Sequence, residues 1–230
     1  MLYTEEAARA RVRNQDGKRV FYLEADDRLT PSARDWLRAE GIAVLPVSER
    51  PAAYTTLFGG VFDSKPEEMT HLHGNVLVQK THPRIAFRGK IDALEAEILL
   101  CQTAAGGNAA LISALQEMLD FVRSLIRADV LGEAVQEVKL CGFSAKELRE
   151  HSHHPEKYYG QSHFLPAYTD GAVLLHLNRL RTHVRQTELA CCRAFSDREG
   201  RCERPDMVLA LNRLSALCWI LMIRIKAGKL

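Results

Sequence analysis

Residues 171–196 read GAVLLHLNRLRTHVRQTELACCRAFS, and their periodicity decides the fold class. At about 100° per residue, Leu174, Leu177, Val184, Cys192 and Phe195 fall on one side of a helix. Arg181, Arg185 and Glu188 fall on that side too, at spacings i, i+4 and i+7. Two arginines and a glutamate in a core-facing stripe are costly unless they are paired or bind something charged.

Working outward, helical periodicity also runs through residues 84–103, 109–128, 144–150 and 205–226. Gly106-Gly107, Gly142 and the segment 151–166 break it. Long helices with short joins predict a mainly α, five-helix-like bundle, with no strand from Pro83 onward. The most apolar stretch, 208–225, is interrupted by Asn212, Arg213 and Ser215, which favours a buried helix over a membrane span. Upstream, residues 1–48 read as a small α/β element. Thr4 caps a short helix (TEEAARARVRN), residues 20–23 (VFYL) form a strand, Thr30-Pro31 open a helix that Gly41 ends, and residues 42–45 (IAVL) form a second strand. Pro51, Gly59, Gly60 and Pro66 make 49–69 a linker, leaving 70–230 for the bundle domain.

Composition agrees with a globular protein: 230 residues, 47% hydrophobic and 26% charged. A net charge of +2 supplies no strong field toward nucleic acid or an anionic membrane, so neither is expected as a partner. The start, MLYTEEAARARVRNQDG, has no signal-like apolar core, and six cysteines lack disulfide-framework spacing. Both features predict a cytoplasmic protein.

Polar groups recur on other apolar faces. Asp92 shares a stripe with Ile85, Ala96 and Leu99; Asn212 shares one with Leu209, Ala216, Trp219 and Ile223. Three helices pointing polar groups inward predict a pocket for an anion or nucleotide, against the alternative of an internal salt-bridge network. Lys80, Arg84, Arg88 and Lys90 form a second basic cluster at a helix start, suited to phosphates or else a solvated basic face. No GxxxxGK[ST] loop is present.

The segments THLHGNVLVQKTHPRIAFRGKIDALEAEILLCQ, HFLPAYTDGAVLLHLNRLRTHVRQTE and LALNRLSALCWILMI together resemble the ATP:corrinoid (cobalamin) adenosyltransferases. The nearest type is that of ethanolamine utilisation, whose resemblance takes in LTPSARDWLRAEGIAV and GFSAKELREHSHHP and covers nearly the whole chain; the propanediol-utilisation type shares only the bundle motifs. The resemblance implies transfer of the 5′-deoxyadenosyl group of ATP to cob(I)alamin, with Mg²⁺ bridging the phosphates. A non-catalytic adenosylcobalamin escort or a nucleotide-sensing bundle is the alternative. Carried over by motif, Arg181, Arg185, Glu188 and Asp92 are catalytic, with Asp92 pairing Arg181. Lys80, Arg181, Arg185, Glu188, Asn212 and Arg213 bind ATP. His163 or Phe164 caps the lower face of the corrinoid, with the apolar Phe164 preferred. The resemblance also implies a homo-oligomer, a trimer in the wider family, and a place in the ethanolamine-utilisation machinery or a bacterial microcompartment.

Two departures stand out. The family's Gly-rich TGDxGxT loop is represented only by Thr70-His71-Leu72-His73-Gly74-Asn75. The H-x11-CC-x2-C metal motif of some ethanolamine-type enzymes is missing, since residues 50–69 hold neither Cys nor His. No protein-held transition metal is therefore expected; the remaining cysteines read as packing and the histidines of 151–163 as a polar loop.

Overall fold

The computed structural model of the chain describes every residue except Asp16, Pro51 and Ala52. Two compact units divide between Ser64 and Lys65.

The first unit is α/β. Its elements are β1 (Leu2–Tyr3), α1 (Glu5–Arg9), β2 (Arg13–Gln15), β3 (Lys18–Leu23), β4 (Arg28–Leu29), α2 (Pro31–Ala39), β5 (Ala43–Pro46), β6 (Tyr54–Thr56) and β7 (Val61–Phe62). The central β3 pairs antiparallel with β2 and parallel with β5. Thr30 caps α2 by accepting from the Ala33 amide, and Pro31 occupies its first turn, as the TP dipeptide predicts. Tyr3 and Phe21 meet edge-on at 5.4 Å in a small core with Ala8, Ala33, Leu37 and Ile42. The helix expected from Thr4 onward stops at Arg9, because its continuation enters β2 and is captured by the β3 ladder. The stretch expected as a linker carries structure of its own: β6 and β7 form an antiparallel hairpin. Pro51 of that stretch lies outside the described residues.

The second unit opens with an antiparallel hairpin, β8 (Met69–His73) and β9 (Val76–Gln79), and continues as helices. These are α3 (Pro83–Ala104), α4 (Ala109–Leu131), α5 (Ala145–His153), α6 (Pro155–Tyr159), α7 (Ala172–Phe195) and α8 (Pro205–Lys226). The helix α3 lies between α4 and α7, α7 also packs on α8, and α5 rests on α8. Four long helices and α5 thus form the five-helix-like bundle. One expectation needs correcting: β10 (Lys139–Leu140) and β11 (Phe143–Ser144) form a short antiparallel ladder inside the helical region. Cys141 (φ 51°) and Gly142 (φ 81°) turn the chain between them, which a helical reading of 144–150 does not see. The short helix α6 likewise interrupts the break expected over 151–166.

Two glycines set helix ends by backbone geometry. Gly132 (φ 67°) closes α4 with a left-handed cap. Gly171, at φ 85° and ψ 160°, precedes α7 in a region essentially reserved for glycine. Although α8 has the length and hydropathy of a membrane span, it is a core helix here: Met207, Leu211, Leu214, Cys218, Leu221 and Met222 are all fully buried.

Candidate active site

The sequence places Arg181, Arg185 and Glu188 within the buried stripe of α7; the structure moves them to its flank. The residues that fill the core are Leu174, Leu177, Leu180, Val184, Thr187, Cys191 and Phe195. At about 100° per residue, the charged triplet lies roughly 40–100° round the helix from the centre of that stripe. Arg181 and Glu188 are half-buried and Arg185 is exposed, so none is sealed in the core. They form one wall of an open cleft of about 1000 Å³.

Opposite them α8 contributes Asn212, Arg213, Ala216 and Trp219; residues 163–166 and the α5 residues Arg149, Ser152 and His153 complete the lining. Glu188 is tied to this wall, since its Oε1 accepts from Asn212 Nδ2 at 3.1 Å. Asn212 Oδ1 in turn accepts from Arg213 Nη1 at 2.5 Å. Arg181 donates to Asn178 Oδ1 at 3.2 Å, and its guanidinium lies 5.5 Å from the Trp219 ring centroid. The Arg185 side chain makes no hydrogen bond or ion pair among the described residues, although its backbone lies within the α7 helix. The Nε–H groups of both Arg181 and Arg213 are buried without a partner among the described residues. Buried donors are normally bonded, so these two mark a place made for acceptors. Burial first, then the neighbouring Arg185, pushes the Arg181 guanidinium below its ordinary value; burial and then Arg149 do the same to Arg213. Among the described lining residues four are arginines and one, Glu188, is a carboxylate. The cleft is therefore built to receive negative charge.

Its other end is aromatic. Trp219 is stacked with His163 (centroids 5.8 Å apart, planes at 13°) and with Phe164 (5.1 Å, 22°). Trp219 Nε1 donates to His163 Nδ1 at 3.2 Å, and His163 Nε2 lies 3.3 Å from the His153 carbonyl. An indole N–H can only donate, which fixes Nδ1 as acceptor and leaves the proton of the neutral ring on Nε2.

The structure thus gathers Arg181, Arg185, Glu188, Asn212, Arg213, His163 and Phe164 round one cleft. Asp92 and Lys80 are not among its lining residues. Asp92 is exposed on α3 and makes no ion pair with Arg181, so the expected Asp92–Arg181 pair is absent within the chain. The α3 carboxylate that reaches α7 is Glu97, 6% exposed, whose Oε1 accepts from Arg179 Nη2 at 2.6 Å. Lys80 is exposed just beyond β9. Its neighbours Arg84 and Arg88 are committed elsewhere: both clamp the buried Asp129 at 2.6 Å. The Thr70–Asn75 segment, matched to a phosphate loop, is the β8–β9 hairpin. Sequence reasoning missed Arg149. Its signal was a charge one turn before Ser152 and His153 on a short helix whose buried residues are Leu148 and Ser152. Among the described residues no group of three or more His, Cys, Asp and Glu side chains is arranged to hold a metal ion.

The chain belongs to the cobalamin adenosyltransferase family, whose model matches residues 62–225, a span that takes in the whole of this bundle's cleft. It is 31% identical to the corrinoid adenosyltransferase EutT of Escherichia coli K12, over 96% of this chain and 90% of that protein. The EutT of Salmonella typhimurium LT2 is similar to the same degree and extent. Among solved structures, the fold is similar to a phenylalanine-to-alanine variant of the PduO-type ATP:corrinoid adenosyltransferase of Lactobacillus reuteri complexed with cobalamin and ATP. That likeness has TM-score 0.54 and 17% identity, over 71% of this chain and 90% of that one. A phenylalanine-to-histidine variant of the same protein, also complexed with cobalamin and ATP, gives TM-score 0.53 at 19% identity, over 71% and 88% of the two chains.

Proposed function

We propose that this protein transfers the 5′-deoxyadenosyl group of ATP to cob(I)alamin, giving adenosylcobalamin and triphosphate for ethanolamine utilisation. The observation that carries the reading is the cleft itself, with a cationic wall on α7 facing α8 and an aromatic end at Trp219. The reduced corrinoid supplies the nucleophile: a cobalt–carbon bond forms at C5′ as the C5′–oxygen bond breaks and triphosphate leaves. No side chain need attack. The protein's task is to hold the reacting atoms in line and to stabilise a leaving group that gains charge.

Arg181 and Arg185 would receive the triphosphate oxygens, with the bare Nε–H of Arg181 among the donors. Glu188 and Asn212 fix each other and would orient ATP, and Arg213 holds Asn212 from behind. Mg²⁺ would arrive with ATP and offset the negative charge of the leaving triphosphate, with Glu188, the sole carboxylate among the described lining residues, the side chain that could hold it. At the aromatic end Phe164 presents an apolar ring, whereas both His163 nitrogens already face partners, which favours Phe164 as the cap of the lower corrinoid face. Lys80 and Asp92 would complete the site only across a homo-oligomer interface, a trimer by family analogy. The first unit would dock to the ethanolamine machinery or a microcompartment, and the working compartment would be the cytoplasm.

The test is Arg185→Lys. A guanidinium makes two directed bonds to phosphate oxygens that an ammonium cannot reproduce. The Arg185 side chain has no partner among the described residues, so the melting temperature should hold while kcat/KM for ATP falls by at least about 2 kcal/mol, the scale of one charge-stabilising donor. Normal ATP kinetics in the folded variant would remove Arg185 from the site, and a wild-type protein that binds both substrates without turnover would make it an escort.

A further inference from the structure

The first unit carries a pocket of about 290 Å³, and none of its lining residues belongs to the cleft of the second unit. Its place follows from the sheet. Strands β3 and β5 run parallel, with Leu23 opposite Pro46 at their carboxyl ends. The chain leaves the sheet there, and the next residues, Glu24 and Val47, line the pocket. The crevice outside the carboxyl ends of parallel strands is where open α/β sheets receive ligands. Three arginines converge on it. The segment between α1 and β2 brings Arg11, β2 brings Arg13, and a short 3-10 turn after β5 (Val47–Glu49) brings Arg50.

Arg11 is held in place: its Nη1 donates to Tyr3 Oη at 2.5 Å, and its guanidinium lies 4.9 Å from the Tyr3 ring centroid. Tyr3 is 5% exposed and meets Phe21 edge-on, so the ring that supports Arg11 is fixed by the core. The side chains of Arg13 and Arg50 make no hydrogen bond or ion pair among the described residues. Glu24, the one carboxylate among the described lining residues, pairs with none of the three. Other acids of the unit are engaged elsewhere: Glu5 by Arg9, Glu40 by Arg19 and Asp27 by the amino terminus. Three guanidinia against one carboxylate leave two positive charges uncompensated. Like charges brought to one pocket repel until an anion lies between them.

Charge and shape select the anion. A lone carboxylate supplies one negative charge, whereas a phosphate monoester carries about one and a half to two at neutral pH, gathered on one group. A guanidinium donates two directed bonds to such oxygens. Beside the arginines, Val12, Val47 and the half-buried Tyr22 offer an apolar wall. The Tyr22 hydroxyl is engaged by Gln15, which leaves its ring for a carbon skeleton. We propose that this pocket binds the phosphate monoester of a small organic molecule, with Arg13 and Arg50 on the phosphate and the organic part against Tyr22. The proposal is independent of the transferase reading, and its test involves no turnover.

The experiment is calorimetric titration of the full chain with phenyl phosphate, inorganic phosphate and succinate, in wild type, Arg13→Gln, Arg50→Gln, Arg13→Lys and Arg185→Ala. Arg13 and Arg50 bear no side-chain bond, so the glutamine variants should melt within about 2 °C of wild type. Phenyl phosphate should bind wild type more tightly than inorganic phosphate, which has no ring to lie on Tyr22, and both more tightly than succinate, whose two charges lie apart. The Kd of phenyl phosphate should rise about tenfold in Arg13→Gln and in Arg50→Gln, on the scale of one charge-assisted contact, and less in Arg13→Lys. Arg185→Ala alters the cleft instead and should leave that Kd within about twofold. A Kd that follows Arg185 and ignores Arg13 and Arg50 would place the anion in the cleft and overturn the proposal. Succinate bound as tightly as phenyl phosphate would make the pocket a carboxylate site, and inorganic phosphate bound as tightly would remove the organic part; either overturns it. No change in any variant would leave three solvated arginines and overturn it too.

Discussion

Replacing Asp129 with asparagine should cost more stability than any single change to the cleft. The Asp129 side chain is fully buried, and its carboxylate is held from two sides. Oδ1 accepts from Arg84 Nε (3.0 Å) and Nη2 (2.6 Å), and Oδ2 from Arg88 Nε (2.6 Å). The arginines have further uses: Arg84 Nη2 donates to the Asp129 carbonyl (3.0 Å), and Arg88 Nη2 to the Leu72 carbonyl (2.7 Å), pinning β8 to α3 and α4. Their side chains are only 22% and 16% exposed. The Asp129→Asn change would leave two desolvated cations with no counter-charge and would turn an amide N–H₂ toward a donor. Breaking one side of a buried ion cluster costs about 3–5 kcal/mol, a large part of the roughly 5–15 kcal/mol that holds a domain together. At about 2–4 °C per kcal/mol for a unit of this size, the melting temperature should fall by roughly 10 °C. Arg84→Ala should cost less than D129N, because Asp129 keeps Arg88. Thermal unfolding followed by circular dichroism, with urea titration of the same preparations, measures both. A D129N melting point within about 3 °C of wild type, less than the shift of a loss of about 2 kcal/mol, together with impaired ATP kinetics, would refute this reasoning and return Arg84 and Arg88 to phosphate binding.

Two further outcomes follow from the chemistry of other groups. Hydrogen bonds from Arg204 lower the Asp206 pKa to about 2, and Asp206 Oδ2 also accepts from the Val135 amide at 2.9 Å. A carboxylate depressed by almost two units contributes roughly 2 kcal/mol above its unfolded pKa, lost as pH falls from about 4 through 2. Stability measured against pH should therefore drop over that window in wild type and be flatter there in Asp206→Asn; parallel curves would refute it. Elemental analysis addresses the metal: because the upstream His/Cys motif is missing, the protein should be active with Mg²⁺ alone. Stoichiometric iron or zinc that survives dialysis and supports activity would overturn that.

What is legible in the sequence, and what is not, divides along the kind of contact involved. Helix ends set by neighbours in the chain are readable: the Thr30 cap, Pro31 in the first turn, the break at Gly106-Gly107 and the helix that opens from Gly171 depend on local backbone chemistry. The polar triplet of α7 is readable because charges within an apolar stripe are rare enough to need a reason. Its degree of burial is not, since periodicity cannot tell the centre of a stripe from its flank when an open cleft runs alongside. Short strands escape a sequence reading at β2, at β6 to β9 and at β10–β11, where pairing with a partner segment, not the residues' own pattern, makes the structure. Asp129 gives no local signal at all. It is buried because α4 packs on α3, and its partners sit 41 and 45 residues earlier.

The misreading of α3 is the most instructive, because the arc it follows is real. Phe87, Ile91, Leu94, Ile98 and Cys101 face the core, and Glu97 with them. Ala96 and Leu99 lie on the outer face beside Asp92, where Leu99 and Leu100 are each 47% exposed. A helix wedged between two others already uses a wide arc, so a second apolar arc is not needed by the chain's own core. On α7 the exposed Leu189 (60%) stands one turn from Arg185. Among the described residues, exposed leucines beside an unpaired aspartate on one helix, and beside an unpaired arginine on its packing neighbour, are complementary in charge and alike in hydrophobicity. This is the pattern expected when the partner of a stripe is another copy of the chain. The proposed homo-oligomer would give that arc a use: a second copy of the chain would cover Asp92, Leu99 and Leu100, which this chain leaves exposed.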